Sequence, residues 1–60
     1  MSERLNRYLA RSGVSSRRAA DALIAGGSVL VNGRRPPAEG MLIEPGEDRV
    51  EVRGEVVAPS

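Results

Sequence analysis

The apolar positions near the start of the chain repeat with the period of a helix. Leu5, Tyr8 and Leu9 fall at i, i+3 and i+4, and Ser12 continues their stripe, so the spacing predicts a helix over residues 4–12. Gly13 stands where such a helix would stop. Val14 then precedes Ser15, a residue suited to cap a second helix, whose buried face is Ala19, Ala20, Leu23 and Ile24. Val14 is placed to staple against Ala19, and Gly26-Gly27 ends the helix. Two short helices joined by about two residues make a helix–turn–helix-like hairpin.

From Ser28 the period changes to two. Ser28-Val29-Leu30-Val31 reads as a strand, and Asn32-Gly33 is the strongest short signal for a hairpin, a type I′ turn. Arg34-Arg35 starts a return strand that Pro36-Pro37 ends. Met41-Leu42-Ile43 reads as a third strand, Pro45-Gly46 as a turn, and Arg49-Val50-Glu51-Val52 as a fourth strand. Val56-Val57, after Gly54, is a candidate for the last. Two helices followed by a small antiparallel sheet define an α+β fold, a single domain over residues 1–60.

Length and composition narrow the chemistry. A chain of 60 residues buries only about 60% of the surface its unfolded form exposes, so the core is small. Cysteine and histidine are both absent, which removes disulfides and the usual zinc ligands; no metal and no cofactor is expected. The N-terminal Met-Ser-Glu-Arg-Leu-Asn-Arg has no apolar signal region, and no segment approaches the roughly 20 apolar residues of a membrane span, so the cytoplasm is the default expectation.

The formal net charge of +1 conceals an asymmetry. All nine basic residues are arginine. Residues 1–35 hold seven of them against Glu3 and Asp21, a net of +5, whereas residues 36–60 hold two against six acids, a net of −4. One half of the chain is suited to a polyanion and the other is not. Arg4, Arg7 and Arg11 lie within about 60° of one another on the helical wheel, as a stripe beside the apolar one. Arg34 and Arg35 follow the Asn-Gly turn.

Arg17 and Arg18 pose a sharper problem. With Ser15 as cap they would occupy N2 and N3, where the helix dipole already presents positive charge and each cation costs a few tenths of a kcal/mol to about 1. An anion bound there would give both a purpose, because free backbone N–H groups and two guanidinium forks would converge on one phosphate. The rival reading pairs either arginine with Asp21, at i+4 or i+3, for about 0.3–0.5 kcal/mol in the poorer orientation. One aspartate does not neutralise two arginines.

The polyanion is best read as folded RNA. Tyr8 is the only aromatic residue, too few for a surface that stacks single-stranded bases. Neither helix carries the Asn, Gln and Arg mixture that reads a DNA major groove, and neither has a bulky apolar face for lipid.

Arg4 through Ala10, Gly13-Val14, Ser16-Arg17-Arg18-Ala19-Ala20 and Val29 through Gly33 resemble the S-four RNA-binding domain, named after ribosomal small-subunit protein four. The likeness is closest to the copy at the N-terminus of bacterial ribosomal RNA pseudouridine synthases, and covers nearly the whole chain. It implies two helices packed on a small bent antiparallel sheet. It also implies contact with structured, ribosomal RNA through Arg4, Arg7, Ser16, Arg17, Arg18, Asn32 and Arg34, to which the charge pattern adds Arg11 and Arg35. Asn32-Gly33 serves first as a turn and also aims Arg34.

No catalytic residue is expected within the chain. The synthases are implied to use an aspartate in a separate, larger domain, while Asp21 and Asp48 here fall in a helix and a turn with no partner base. Ser15 and Ser16 have no His or Lys to activate them, and Glu47-Asp48 reads as a solvated turn, not a metal site. Two rivals stay open: a free-standing ribosome-associated accessory protein, and a protein–protein module that uses the same basic face.

Overall fold

Leu5 and Leu9, one helical turn apart, are fully buried, and Tyr8 beside them is nearly so. That stripe is the centre of the computed structural model, which describes residues 1–37 and 40–59. Helix α1 (Leu5–Arg11) carries the stripe, and α2 (Arg17–Ala25) lays Ala20 and Ile24 against it. Strands β2 (Val29–Val31) and β4 (Val50–Val52) each send two valines into the core, with Leu30 and Glu51 half-buried between them. Ile43 closes the cluster, and Val14, Leu23, Met41 and Val57 pack around it. The α+β architecture is the expected one.

Both helices end in the same way. Gly13 (φ 80°) and Gly27 (φ 82°) adopt left-handed backbone just after the helix cap. At the first end Gly13 N–H donates to Ala10 C=O (3.1 Å) and Val14 N–H to Leu9 C=O (3.3 Å). At the second, Gly27 N–H donates to Ile24 C=O (3.2 Å) and Ser28 N–H to Leu23 C=O (3.0 Å). This paired pattern is the Schellman motif, which satisfies carbonyls that a helix end would otherwise leave bare.

The strands depart from the expected pattern in two places. Arg4 is not the start of α1 but the second residue of a two-residue strand, β1 (Glu3–Arg4), antiparallel to β3 (Leu42–Ile43). Leu5 N–H continues the ladder by donating to Met41 C=O (2.9 Å). The sheet is therefore split: β1–β3 forms one ribbon, and β2–β4–β5, with β5 at Glu55–Val57, forms the other. Secondly, Arg34-Arg35 is not a return strand. Asn32 (φ 54°) and Gly33 (φ 83°) make the expected type I′ turn, and Val31 and Arg34 exchange two hydrogen bonds, but pairing stops at that single bridge. Pro36 and Pro37 have no N–H to extend it, so the ladder partner of β2 is β4. A second turn of the same type, Arg53 (φ 50°) and Gly54 (φ 84°), joins β4 to β5.

Asn32 also ties the turn to a distant loop. Its Oδ1 accepts from Arg49 N–H (2.8 Å) and its Nδ2 donates to Asp48 Oδ1 (2.9 Å). Asp48 Oδ2 accepts from Glu44 N–H (2.7 Å) and so closes residues 44–48 into a turn. These two hydrogen bonds, the backbone one first, hold the Asp48 carboxyl below its ordinary range.

Two outcomes follow for stability. Leu9→Ala removes a fully buried side chain and is expected to cost about 2–5 kcal/mol, against a total of roughly 3–9 kcal/mol for a domain of this size. Its thermal melt, followed by far-UV circular dichroism, should lose about 10 °C or more or lose cooperativity; a melt within a few degrees of wild type contradicts the assignment of Leu9 to the core. Asp48 holds its proton less tightly folded than unfolded, so its stabilisation is complete above an unfolded value of about 4. It is lost as pH falls through the lower folded value. Asp48→Ala should reduce Tm at neutral pH and flatten the decline of Tm below about pH 4; equal acid limbs for both proteins would contradict the contact.

Candidate nucleic-acid interface

The mouth of α2 is organised by Ser16, not by Ser15 as the sequence suggests. Ser16 is extended (φ −73°, ψ 166°), and its Oγ accepts from Ala19 N–H at 3.2 Å. Ser15 instead donates its hydroxyl to Ser16 C=O (2.9 Å). The shift of one residue moves Arg17 and Arg18 to N1 and N2, whose N–H groups have no intrahelical acceptor. Ala19, expected on the buried face, is exposed, and Ala20 and Ile24 are the buried positions of α2.

Both arginines are exposed, and neither takes part in an ion pair among the described residues. Asp21 does not neutralise them. It accepts a hydrogen bond from Asn6 Nδ2 (3.0 Å) and joins α2 to α1. Asn6 Oδ1 is left buried without a hydrogen-bond partner, a cost of roughly 1–3 kcal/mol. The dipole repulsion at N1 and N2 therefore stands uncompensated by any carboxylate of the described residues.

The arginine stripe of α1 has a different character. Arg4 sits in β1, exposed and outside every ion pair of the described residues. Arg11 is engaged: its Nε and Nη2 donate to the two oxygens of Glu3 at 3.1 and 2.8 Å, fork to fork. Arg7 Nε lies 3.7 Å from the same carboxylate. The hydrogen bonds from Arg11 are the main reason the Glu3 carboxyl is held below its ordinary range, with the charges of Arg11 and Arg7 adding to them against desolvation. The same pair raises Arg11. The Arg11 guanidinium also lies 5.7 Å from the centroid of the Tyr8 ring. The sequence gives little sign of this pair, since Glu3 lies in β1 and helical spacing does not apply to it.

The remaining candidates gather at the Asn-Gly turn. Asn32 spends its amide on Asp48 and Arg49, so it holds the turn that presents Arg34. Arg34 and Arg35 are exposed and line a shallow groove of about 490 Å³ with Pro36, Pro37 and Met41. The Arg35 guanidinium lies against Gly27, where an added Cβ would meet its Nη2 at 3.0 Å. That places it at the C-terminal end of α2, where the dipole favours a cation, roughly 13 Å along the helix from Arg17. The structure thus sorts the arginines into an open pair on α2, a carboxylate-bound group on α1 and a pair beyond the turn. Among the described residues no group of three or more acidic side chains could hold a metal ion, and no helix is long and apolar enough to cross a membrane.

Known proteins share this arrangement of residues. A profile of the S4 domain matches residues 3–48. The "Uncharacterized RNA pseudouridine synthase" of Aquifex aeolicus (strain VF5) is 44% identical over 59 residues, which cover 98% of this chain and 24% of that protein. The dual-specificity RNA pseudouridine synthase RluF of Escherichia coli (strain K12) is 45% identical over 58 residues, 97% of this chain and 19% of its own. RluF of Salmonella typhi matches to the same extent. The chain spans about a quarter or less of the length of these relatives. The matched residues run from β1 through both helices and the Asn-Gly turn to the turn that Asp48 closes, and the chain belongs to the S4 domain family.

Proposed function

We propose that this S4 domain binds folded RNA, ribosomal RNA foremost, and positions the substrate of an RNA pseudouridine synthase. The observation that carries the reading is the pair Arg17 and Arg18 at the start of α2, exposed and free of carboxylates among the described residues. A phosphate there would meet two guanidinium forks, the N–H groups of the first turn and the positive end of the dipole together. Arg4 in β1 and Arg7 on α1 follow the backbone, and Arg34, aimed by the turn that Asn32 holds, adds a third point of contact. Ser16 contributes by fixing the helix mouth.

The mode of recognition follows from the one aromatic residue. Tyr8 is buried in the core, with Arg11 over its ring. No aromatic platform is left on which to stack bases, which favours recognition of phosphate and shape. The acidic half, with Glu47, Glu51 and Glu55, belongs to the loop and strands that follow β3 and would turn away from the RNA. Isomerisation would fall to residues beyond these 60, since Asp21 and Asp48 are both engaged in hydrogen bonds that hold the fold. The domain would then raise the local concentration of a linked catalytic unit at its substrate.

A salt titration of binding to a structured ribosomal RNA fragment tests this. About five phosphate contacts, from Arg4, Arg7, Arg17, Arg18 and Arg34, predict a slope of log K against log salt of about −3.5 to −4.5. Replacing Arg17 and Arg18 together by alanine should weaken binding roughly 10- to 100-fold, about 1.4–2.8 kcal/mol. It should also make the slope shallower by about 1.4–1.8. The same variant should melt no lower than wild type, because it relieves repulsion at the helix N-terminus. An unaltered slope would mean that these side chains touch no phosphate, and displacement by an acidic polypeptide as readily as by RNA would favour a protein partner.

A further inference from the structure

We propose that Glu3 acts as an internal substitute for phosphate, withdrawing Arg11 from the RNA and leaving Arg7 as the working cation of α1. This rests on the RNA-binding reading above and goes beyond it, because it removes one of the stripe's arginines from the contact and assigns the reason to a carboxylate.

The geometry of the three side chains carries the argument. Glu3 presents both oxygens to Arg11 at 2.8 and 3.1 Å, the bidentate arrangement that a phosphate would otherwise occupy. Its side chain is only 12% exposed, against 47% for Arg11 and 68% for Arg7. A phosphate that took Arg11 for itself would first have to break both hydrogen bonds of this two-pronged pair. A phosphate that approached without displacing Glu3 would meet its negative charge at close range.

The backbone of Glu3 is anchored. It is paired with Ile43 in the β1–β3 ribbon, and the next residues are fixed by Leu42 and Met41. Arg11 is held from a second side by the Tyr8 ring. All three charged residues line one shallow groove of about 370 Å³, so carboxylate and guanidinium groups compete in the same space. Arg7, at 3.7 Å from Glu3 and mostly exposed, is the member that remains available. Arg17 and Arg18 have no comparable partner among the described residues, which is why the two helices should differ in how their arginines respond to substitution.

The test is a set of salt titrations with the 60-residue chain and a structured ribosomal RNA fragment. Arg11→Ala should leave the slope as in wild type, while Arg18→Ala should make it shallower by about 0.7–0.9, one phosphate. Glu3→Gln should tighten binding about three- to tenfold at low salt and steepen the slope by about 0.7–0.9 as Arg11 is released. Adding Arg11→Ala to Glu3→Gln should reverse both gains, so that the cost of Arg11→Ala depends on Glu3. Glu55→Gln, which removes the same charge from β5, should leave the slope unaltered. The proposal is overturned if Arg11→Ala alone shallows the slope as much as Arg18→Ala, or if Glu3→Gln changes neither affinity nor slope while melting as a folded protein. Should Glu3→Gln fail to fold, the comparison of Arg11→Ala with Arg18→Ala decides by itself. A wild-type chain with no salt-dependent RNA binding sinks the RNA reading itself, an outcome distinct from a normal wild-type slope that Arg11→Ala diminishes.

Discussion

Burial of the Leu5–Tyr8–Leu9 stripe is the constraint on which the rest of this small protein depends. With only ten buried hydrophobic side chains among the described residues, a 60-residue chain has no spare core to lose. The rotation of α1 about its axis is therefore set by where those three side chains must go. At about 100° per residue, sending positions 5, 8 and 9 inward sends positions 7 and 11 to the surface. The charged face of the helix is thus a consequence of its apolar face. In α2 the same logic reaches Arg18, which burial of Ala20 and Ile24 turns outward, whereas Arg17 lies in line with Ile24 and is exposed at the helix's first position.

The acids matter as much as the arginines. Glu44 pairs with the N-terminal ammonium and Glu51 with Arg49, and three further acids each do a different job. Glu3 occupies Arg11, Asp21 joins α2 to α1 through Asn6, and Asp48 closes a turn and grips the Asn-Gly hairpin. None of the three is spent on Arg17 or Arg18. A helix that carries two cations against its own dipole, with an aspartate one turn away engaged elsewhere, keeps an electrostatic cost in the free state that an anion relieves. Surface ion pairs are individually weak, so it is their distribution, more than their sum, that decides which cations remain open.

Membership of the S4 family and the similarity to RNA pseudouridine synthases fit this picture of a compact unit whose chemistry is electrostatic. Its sole aromatic residue serves the core. Asp21 ties the two helices together, Asp48 closes a turn and Ser16 caps α2.

Local pattern determined much of the protein by itself. The 3.6-residue spacing of Leu5, Tyr8 and Leu9, the glycines after each helix and the Asn-Gly turn all specify structure through contacts within a few residues, and all are found where the sequence predicts them. Tertiary structure decided the rest. Ser15 and Ser16 are equally good caps; the choice falls to Ser16 where the Schellman turn at Gly13 and the packing of Val14 on the core set the path of the chain. Strand β1 is two residues long with no periodicity of its own, and exists because Ile43, forty residues away, needs a partner there. Once Glu3 is fixed in that strand, its carboxylate reaches Arg11. Arg34-Arg35 stops after one bridge to Val31 because Pro36 and Pro37 have no N–H to extend the ladder, while β4 pairs with the opposite edge of β2. Contacts between neighbours in sequence are written in residue types, whereas pairings across forty residues are settled only by which segments can share one small core.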